Sequence, residues 1–196
     1  MKLVLASKNN KKLLELESIL SELGVEVISE DEAGVDVTVE ETGATFEENA
    51  RLKARAVMEA AGLPALADDS GLCVDALDGA PGVFSARYGG EELDDKGRFD
   101  LLLEFMRGEL DRKCRFVSCI CCAFPNGDEI TARGECQGTL AYAPRGADGF
   151  GYDPIFFVPQ LKRTFAQLTP DEKNKISHRG VALRNFAAKL KDYLNK

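Results

Sequence analysis

Two runs rich in sheet-forming residues, 113–124 and 129–140, flank the tetrapeptide Pro125-Asn126-Gly127-Asp128. An Asn-Gly pair between such runs is a hairpin signal, because its backbone follows the right-handed twist of the flanking strands. The chain therefore contains a long antiparallel pair. Around it lie shorter apolar runs and helix-period segments in alternation. Residues 2–6 and 25–29 read as strands, and 35–39 as a third strand or an extended loop. Thr45-Phe46-Glu47-Glu48 has the form of a capping box. The helix it opens carries Phe46, Ala50, Ala54, Val57 and Ala61 on one face and stops at Gly62, before Pro64. Residues 94–106 form another helix, with Phe99, Leu102, Leu103 and Met106 inward, and 155–158 another strand. A last helix follows Ser177. Helices and strands mix from end to end, which predicts an α/β fold: a mixed, twisted central sheet flanked by helices, in one domain spanning 1–196.

The composition bounds the partners. The chain is 44% apolar and 30% charged, as ordinary globular chains are. Its net charge of −8 argues against general binding of a nucleic-acid backbone, though a local cluster of cations suffices for a nucleotide. It has no apolar run long enough to span a membrane, and the first apolar residues are too few for a signal peptide. Cys119 and Cys122 make a C-x-x-C, but on a strand residues three apart face opposite ways. The six cysteines read as small apolar side chains in a reducing cytoplasm.

The chemistry concentrates in Ala65-Leu66-Ala67-Asp68-Asp69-Ser70-Gly71. Residues 65–67 read as a short buried strand with two carboxylates directly after it. Adjacent carboxylates repel and resist burial. A divalent cation relieves both problems, and Mg²⁺ takes one or two carboxylates together with substrate phosphates. A solvated Asx turn would account for the same residues.

Three further stretches point toward a phosphorylated ligand. Ser7-Lys8-Asn9-Asn10-Lys11-Lys12 lies between a strand and a helix bearing Leu13, Leu16, Leu20 and Leu23. Free N–H groups at a helix start attract anions, and three lysines reinforce this; a solvated cap is the alternative. The glycine-rich loop 145–154 carries Phe150 and Tyr152, suited to stacking on a base. His178, the single histidine, and Arg179 fall in the first turn of the last helix. Cations are unfavourable there, which predicts a compensating anion or acceptor nearby.

Taken together, these stretches resemble the inosine triphosphate pyrophosphatase family. The resemblance rests on Ser7-x-Asn9-x-x-Lys12, Glu40-Glu41-Thr42-Gly43-x-Thr45-Phe46-Glu47-Glu48-Asn49-Ala50 with Lys53, Ala67-Asp68-Asp69-Ser70-Gly71, Gly79-Ala80-Pro81-Gly82-x-x-Ser85-Ala86-Arg87, 149–156, and Ser177-His178-Arg179-Gly180, in that order. It implies a cytoplasmic homodimer, each chain having two lobes with an active-site cleft between them. It implies Mg²⁺-dependent hydrolysis of ITP, dITP and XTP to the monophosphate and pyrophosphate. Glu40 and Asp69 would hold the metal, with Asp68 beside them, and Asp69 would accept the proton. Ser7, Lys8, Asn9, Asn10, Lys11, Lys12, Lys53, Ser70 and Lys173 would contact substrate. Phe150, Gly151, Tyr152 and Asp153, with His178 and Arg179, would receive base and sugar. The rival expectations are a pyrophosphatase for other nucleotides and a nucleotide sensor without turnover.

Overall fold

Alternation along three strands decides which helix meets which face. The structure, a computed structural model, describes residues 1–7, 16, 20–21 and 24–195. Among them seven strands form one mixed sheet in the order β2-β1-β3-β4-β5-β6-β7. They are β1 (Lys2–Leu5), β2 (Glu26–Ser29), β3 (Ala65–Val74), β4 (Lys113–Ala123), β5 (Glu129–Leu140), β6 (Phe156–Val158) and β7 (Arg163–Thr164). Strand β1 runs parallel to β2 and β3, while β6 is antiparallel to β5 and β7. The helices are α1 (Phe46–Ala61), α2 (Asp95–Phe105), α3 (Pro170–Ile176) and α4 (His178–Leu194). Residues 35–43 take the extended-loop alternative, with burial that still alternates. The chain divides into two compact units, one of residues 1–69, 118–134 and 178–196, the other of 70–117 and 135–177.

In the first unit, side chains one residue apart point to opposite sides of the sheet. Val4, Ala65, Ala67, Cys121 and Ala123 form a buried cluster with Ala50, Ala54 and Val57 of α1. These residues are small, which lets the helix lie close. Leu3, Leu5, Leu66, Ile120 and Cys122 form another with Ala182, Leu183, Phe186 and Leu190 of α4. So at the start of β3 Leu66 faces α4, while Ala65 and Ala67 face α1. Helix α1 is fixed at both ends. Thr45 Oγ1 accepts from Glu48 N–H while the Glu48 carboxylate accepts from Thr45 N–H, both at 3.2 Å, and Gly62 closes the other end at φ 65°. Such a cap is worth about 1 kcal/mol.

The α4 contact also needs a residue without a side chain. A Cβ at Gly134 on β5 would lie 2.2 Å from the His178 carbonyl oxygen and 2.3 Å from Ala182 N. The first turn of α4 thus rests on bare strand backbone.

The second unit has its own core. Leu72, Val74, Cys114, Phe116, Cys136 and Leu140 pack with Phe99, Leu102 and Met106. Phe116, Phe156 and Phe165 close it as a ring cluster, with centroids 4.6–5.8 Å apart. Helix α3 has a complete capping box from Thr169 and Glu172, with Pro170 in its first turn.

Candidate active site

Strand β3 does not stop before its carboxylates. It continues through Asp68, Asp69, Ser70 and Gly71 to Val74, so the expectation of a three-residue strand is corrected. The reason is the alternation described above. Asp68 follows Leu66 onto the α4 face, and Asp69 follows Ala67 onto the α1 face. The two charges leave the strand in opposite directions and are matched separately.

On the α4 face, Arg179 Nε donates to Asp68 Oδ2 at 3.2 Å, and the Ser118 hydroxyl donates to Oδ1. Both side chains of the ion pair are almost fully buried. Here is the anion expected near the start of the last helix. Both Asp68 oxygens are engaged by protein groups. Ser118 was missed in the sequence, although it is the only polar side chain in the stretch Phe116-Val117-Ser118-Cys119-Ile120-Cys121-Cys122-Ala123.

On the α1 face, Lys53 Nζ lies 2.9 Å from Asp69 Oδ1 and 2.8 Å from Glu41 Oε1, and it donates to the Asp68 carbonyl at 3.2 Å. Asn49, one turn earlier on α1, donates to Asp69 Oδ2 at 3.4 Å and accepts from Gly43 N–H at 2.8 Å. The i, i+4 spacing of Asn49 and Lys53 points both at one carboxylate. Gly43 has no room for a side chain, since its Cβ would stand 2.7 Å from Asn49 Oδ1. Burial holds the Asp69 carboxyl above the usual range; Lys53 opposes this, and the nearby Glu41 and Asp68 reinforce it. Burial works against the Lys53 charge too, but Asp69 and Glu41 prevail and hold its ammonium above the usual range. One lysine thus serves two acids.

Glu40, the other expected acid, is exposed one residue before Glu41. The sequence did not separate the roles of these neighbours; the structure gives the Lys53 pair to Glu41. Among the described residues, no group of three or more His, Cys, Asp or Glu is set to hold a metal. Lys8, Asn9, Asn10, Lys11 and Lys12 lie outside the described residues, as do Leu13 and Leu23 of the expected helix. Ser7 is half-buried at the end of β1, and Leu16 and Leu20 are buried. Ser70 is half-buried on β3, in the second unit.

The second unit contains the aromatic loop. Asp153 Oδ2 accepts from Phe150 N–H at 3.0 Å and from Lys173 Nζ at 2.6 Å. Both members of that ion pair are buried. Lys173 Nζ lies 4.6 Å from the centre of the Phe150 ring, a cation–π contact. Tyr152 is buried and donates its hydroxyl to the Ser85 carbonyl at 2.8 Å. Phe150, Asp153 and Lys173 therefore form one hydrogen-bonded assembly, with Tyr152 held separately by Ser85. Asp153 is its internal anchor and Phe150 its half-buried ring. His178 and Arg179 belong to the first unit, at the start of α4.

The fold is thus α/β, with an acidic, lysine-bridged corner on its sheet. Residues 3–189 match the Ham1 family. The chain is 51% identical to the dITP/XTP pyrophosphatase of Exiguobacterium, over 97% of each chain. It is 47% identical to the dITP/XTP pyrophosphatase of Streptomyces coelicolor, over 98% of each. The solved HAM1 protein of Coxiella burnetii superposes with a TM-score of 0.92 at 45% identity, covering 98% of this chain and 99% of that one. The Ham1 protein of Staphylococcus aureus gives 0.91 at 41%, covering 98% and 100%. The chain belongs to the Ham1 family.

Proposed function

We propose that this protein is a nucleoside triphosphate pyrophosphatase that hydrolyses dITP, XTP and ITP, with Mg²⁺, to the monophosphate and pyrophosphate, removing damaged purines from the nucleotide pool. The observation that carries this reading is the Asp69–Lys53–Glu41 corner at the centre of the motif set. The names of the relatives support the substrate class.

The donor set suits Mg²⁺. It offers hard carboxylate oxygens, and Mg²⁺ is held by one or two carboxylates together with substrate phosphates rather than by a full protein cage. Asp69 and Glu40 would hold it, with Asp68, turned to the α4 face toward Arg179 and Ser118, limited to a supporting place. Bound there, the ion would neutralise phosphate charge and polarise a phosphoryl oxygen. The rest is the work of the chain. Asp69 accepts the proton of the attacking water, and Lys53 holds its carboxylate in place. Lys53 is held charged and offsets the polyphosphate, with Ser7, Lys8, Asn9, Asn10, Lys11, Lys12 and Ser70 contributing donors. Positioning and charge neutralisation carry such reactions more than covalent chemistry does.

Phe150 stacks on the base, and Gly151, Tyr152, Asp153, Lys173, His178 and Arg179 shape its surroundings. Inosine and xanthine bases present an acceptor at position 6 and a donor at N1, where adenine presents the reverse. A site built to bond the first pattern leaves its own groups unpaired against adenine, a mismatch worth up to roughly 10⁴–10⁵ in selectivity. The resemblance also supports a homodimer in the cytoplasm, which light scattering on the purified chain tests.

The deciding experiment measures pyrophosphate release from eight purine and pyrimidine triphosphates, with Mg²⁺ and with chelator. Release from dITP, XTP and ITP only, and only with the metal, supports the reading. Equal turnover of ATP and GTP refutes its base selectivity, and binding without any product refutes the enzyme.

A further inference from the structure

We propose that Asp95 is a positioning residue for the purine-contacting loop and so tunes how sharply the enzyme separates one purine from another. The proposal rests on reading residues 149–153 as the segment that meets the base. Gly151 N–H donates to Asp95 Oδ2 at 2.7 Å, across 56 residues of sequence. It is a charge-assisted bond, shorter and stronger than a neutral one.

The loop's other ties engage other groups, among them Asp153 N–H, which closes a turn onto the Phe150 carbonyl at 3.2 Å. Phe150 N–H is bound by Asp153 and the Tyr152 hydroxyl by Ser85. Gly151 sits between the two rings at φ +59°, in the left-handed region, and a Cβ there would meet nothing within 4 Å. The side on which a Cβ would stand is therefore open. Its N–H is the handle, and Asp95 grips it.

Asp95 is free for that task. It is the first residue of α2, but Asp94 is the N-cap and accepts from Gly97 N–H at 2.7 Å. Arg98, one turn on, lies 3.6 Å from Asp95 Oδ1 and braces the carboxylate from behind. The Asp95 side chain is 56% exposed, so its removal leaves no buried hole. Nothing in the sequence signals this, because Asp95 looks like an ordinary first-turn acid.

Two variants and two readouts test the proposal. In Asp95→Ala, hydrogen exchange at the Gly151 amide speeds up by about tenfold, KM for dITP rises by about five- to tenfold, and kcat stays within about twofold. The preference for dITP over dGTP falls by a similar factor. Asp95→Asn keeps an acceptor oxygen and restores most of both properties. The melting temperature falls by no more than about a few degrees in either variant, because the Asp95 side chain is exposed. Unchanged Gly151 exchange in Asp95→Ala would overturn the proposal alone. Faster exchange with no change in KM or purine preference would overturn it as well, along with the role given to the loop. Wild-type protein that releases no pyrophosphate from any purine triphosphate would instead overturn the functional reading beneath it.

Discussion

Arg179 Nε sits 3.2 Å from Asp68 Oδ2, with the two side chains only 3% and 1% exposed. The next residue along the strand, Asp69, faces the other way and meets Lys53 instead. A single step of strand geometry turns an apparent electrostatic conflict into two separate ion pairs, one tying down α4 and one facing α1. The tie is conditional, because a buried charge is tolerated only while its partner remains.

Removing that partner is therefore expected to be costly. Arg179→Ala should lose about 3–5 kcal/mol of stability by urea unfolding, since it leaves the Asp68 carboxylate buried without a cation. Adding Asp68→Asn to Arg179→Ala should recover a large part of the loss. A double-mutant cycle reads the difference as coupling between the two sites. Strict additivity would mean that the pair contributes nothing.

Asp69→Asn should separate catalysis from folding. Loss of the proton acceptor lowers kcat for dITP by about 10²–10⁴. Lys53 keeps Glu41 as a partner, and burial already disfavours the Asp69 charge, so the thermal midpoint should hold or rise. A variant that unfolds early, or that still turns over at the wild-type rate, contradicts the assignment.

Gly134→Ala is predicted to be destabilising despite its single added methyl. That methyl would meet the His178 carbonyl and Ala182 N, the pair that a helix joins in its first turn. Either α4 or β5 must yield, at about 1–3 kcal/mol, as overpacking does elsewhere. Because Arg179 rides on the same turn, loss of stability should be accompanied by weaker Arg179–Asp68 coupling in the double-mutant cycle.

Helix α3 has an acid-sensitive start. The Arg163 guanidinium and Thr169 N–H hold the Glu172 carboxyl at about 2, below the ordinary value of 4.5. A carboxyl depressed by folding stabilises the fold above its unfolded pKa and loses that contribution as pH falls through the folded one. The first turn of α3 should therefore loosen between pH 4.5 and pH 2, as read from the Glu172 amide shift. Glu172→Gln should remove this pH dependence.

Local rules recovered what local residues determine. The 113–140 hairpin, the Thr45 capping box and the Gly62 stop all follow from neighbours within a few positions. The continuation of β3 through two aspartates does not. Their partners Lys53, Ser118 and Arg179 lie 16, 50 and 111 residues away, and no local rule anticipates them. Arg179 was the informative exception: a cation at a helix start required an anion, and the anion proved to be Asp68. Helix α3 was missed although Thr169-Pro170-Asp171-Glu172 spells a capping box with proline in the first turn. The preference of Lys53 for Glu41 over Glu40 depends on the path of an irregular loop, which sequence pattern does not encode.

The interior sulfur has a practical side. All six thiols are free and buried; burial lifts Cys119 and Cys136 to about 11 and Cys121 to about 12, and pushes Cys114 and Cys122 higher still. Alkylating reagents attack the thiolate, which these side chains scarcely form at neutral pH while the fold stays closed. A new cysteine placed on the exposed surface would thus take up a fluorophore or spin label almost alone. The native chain needs no serine replacements before distances or loop motions are measured with such probes.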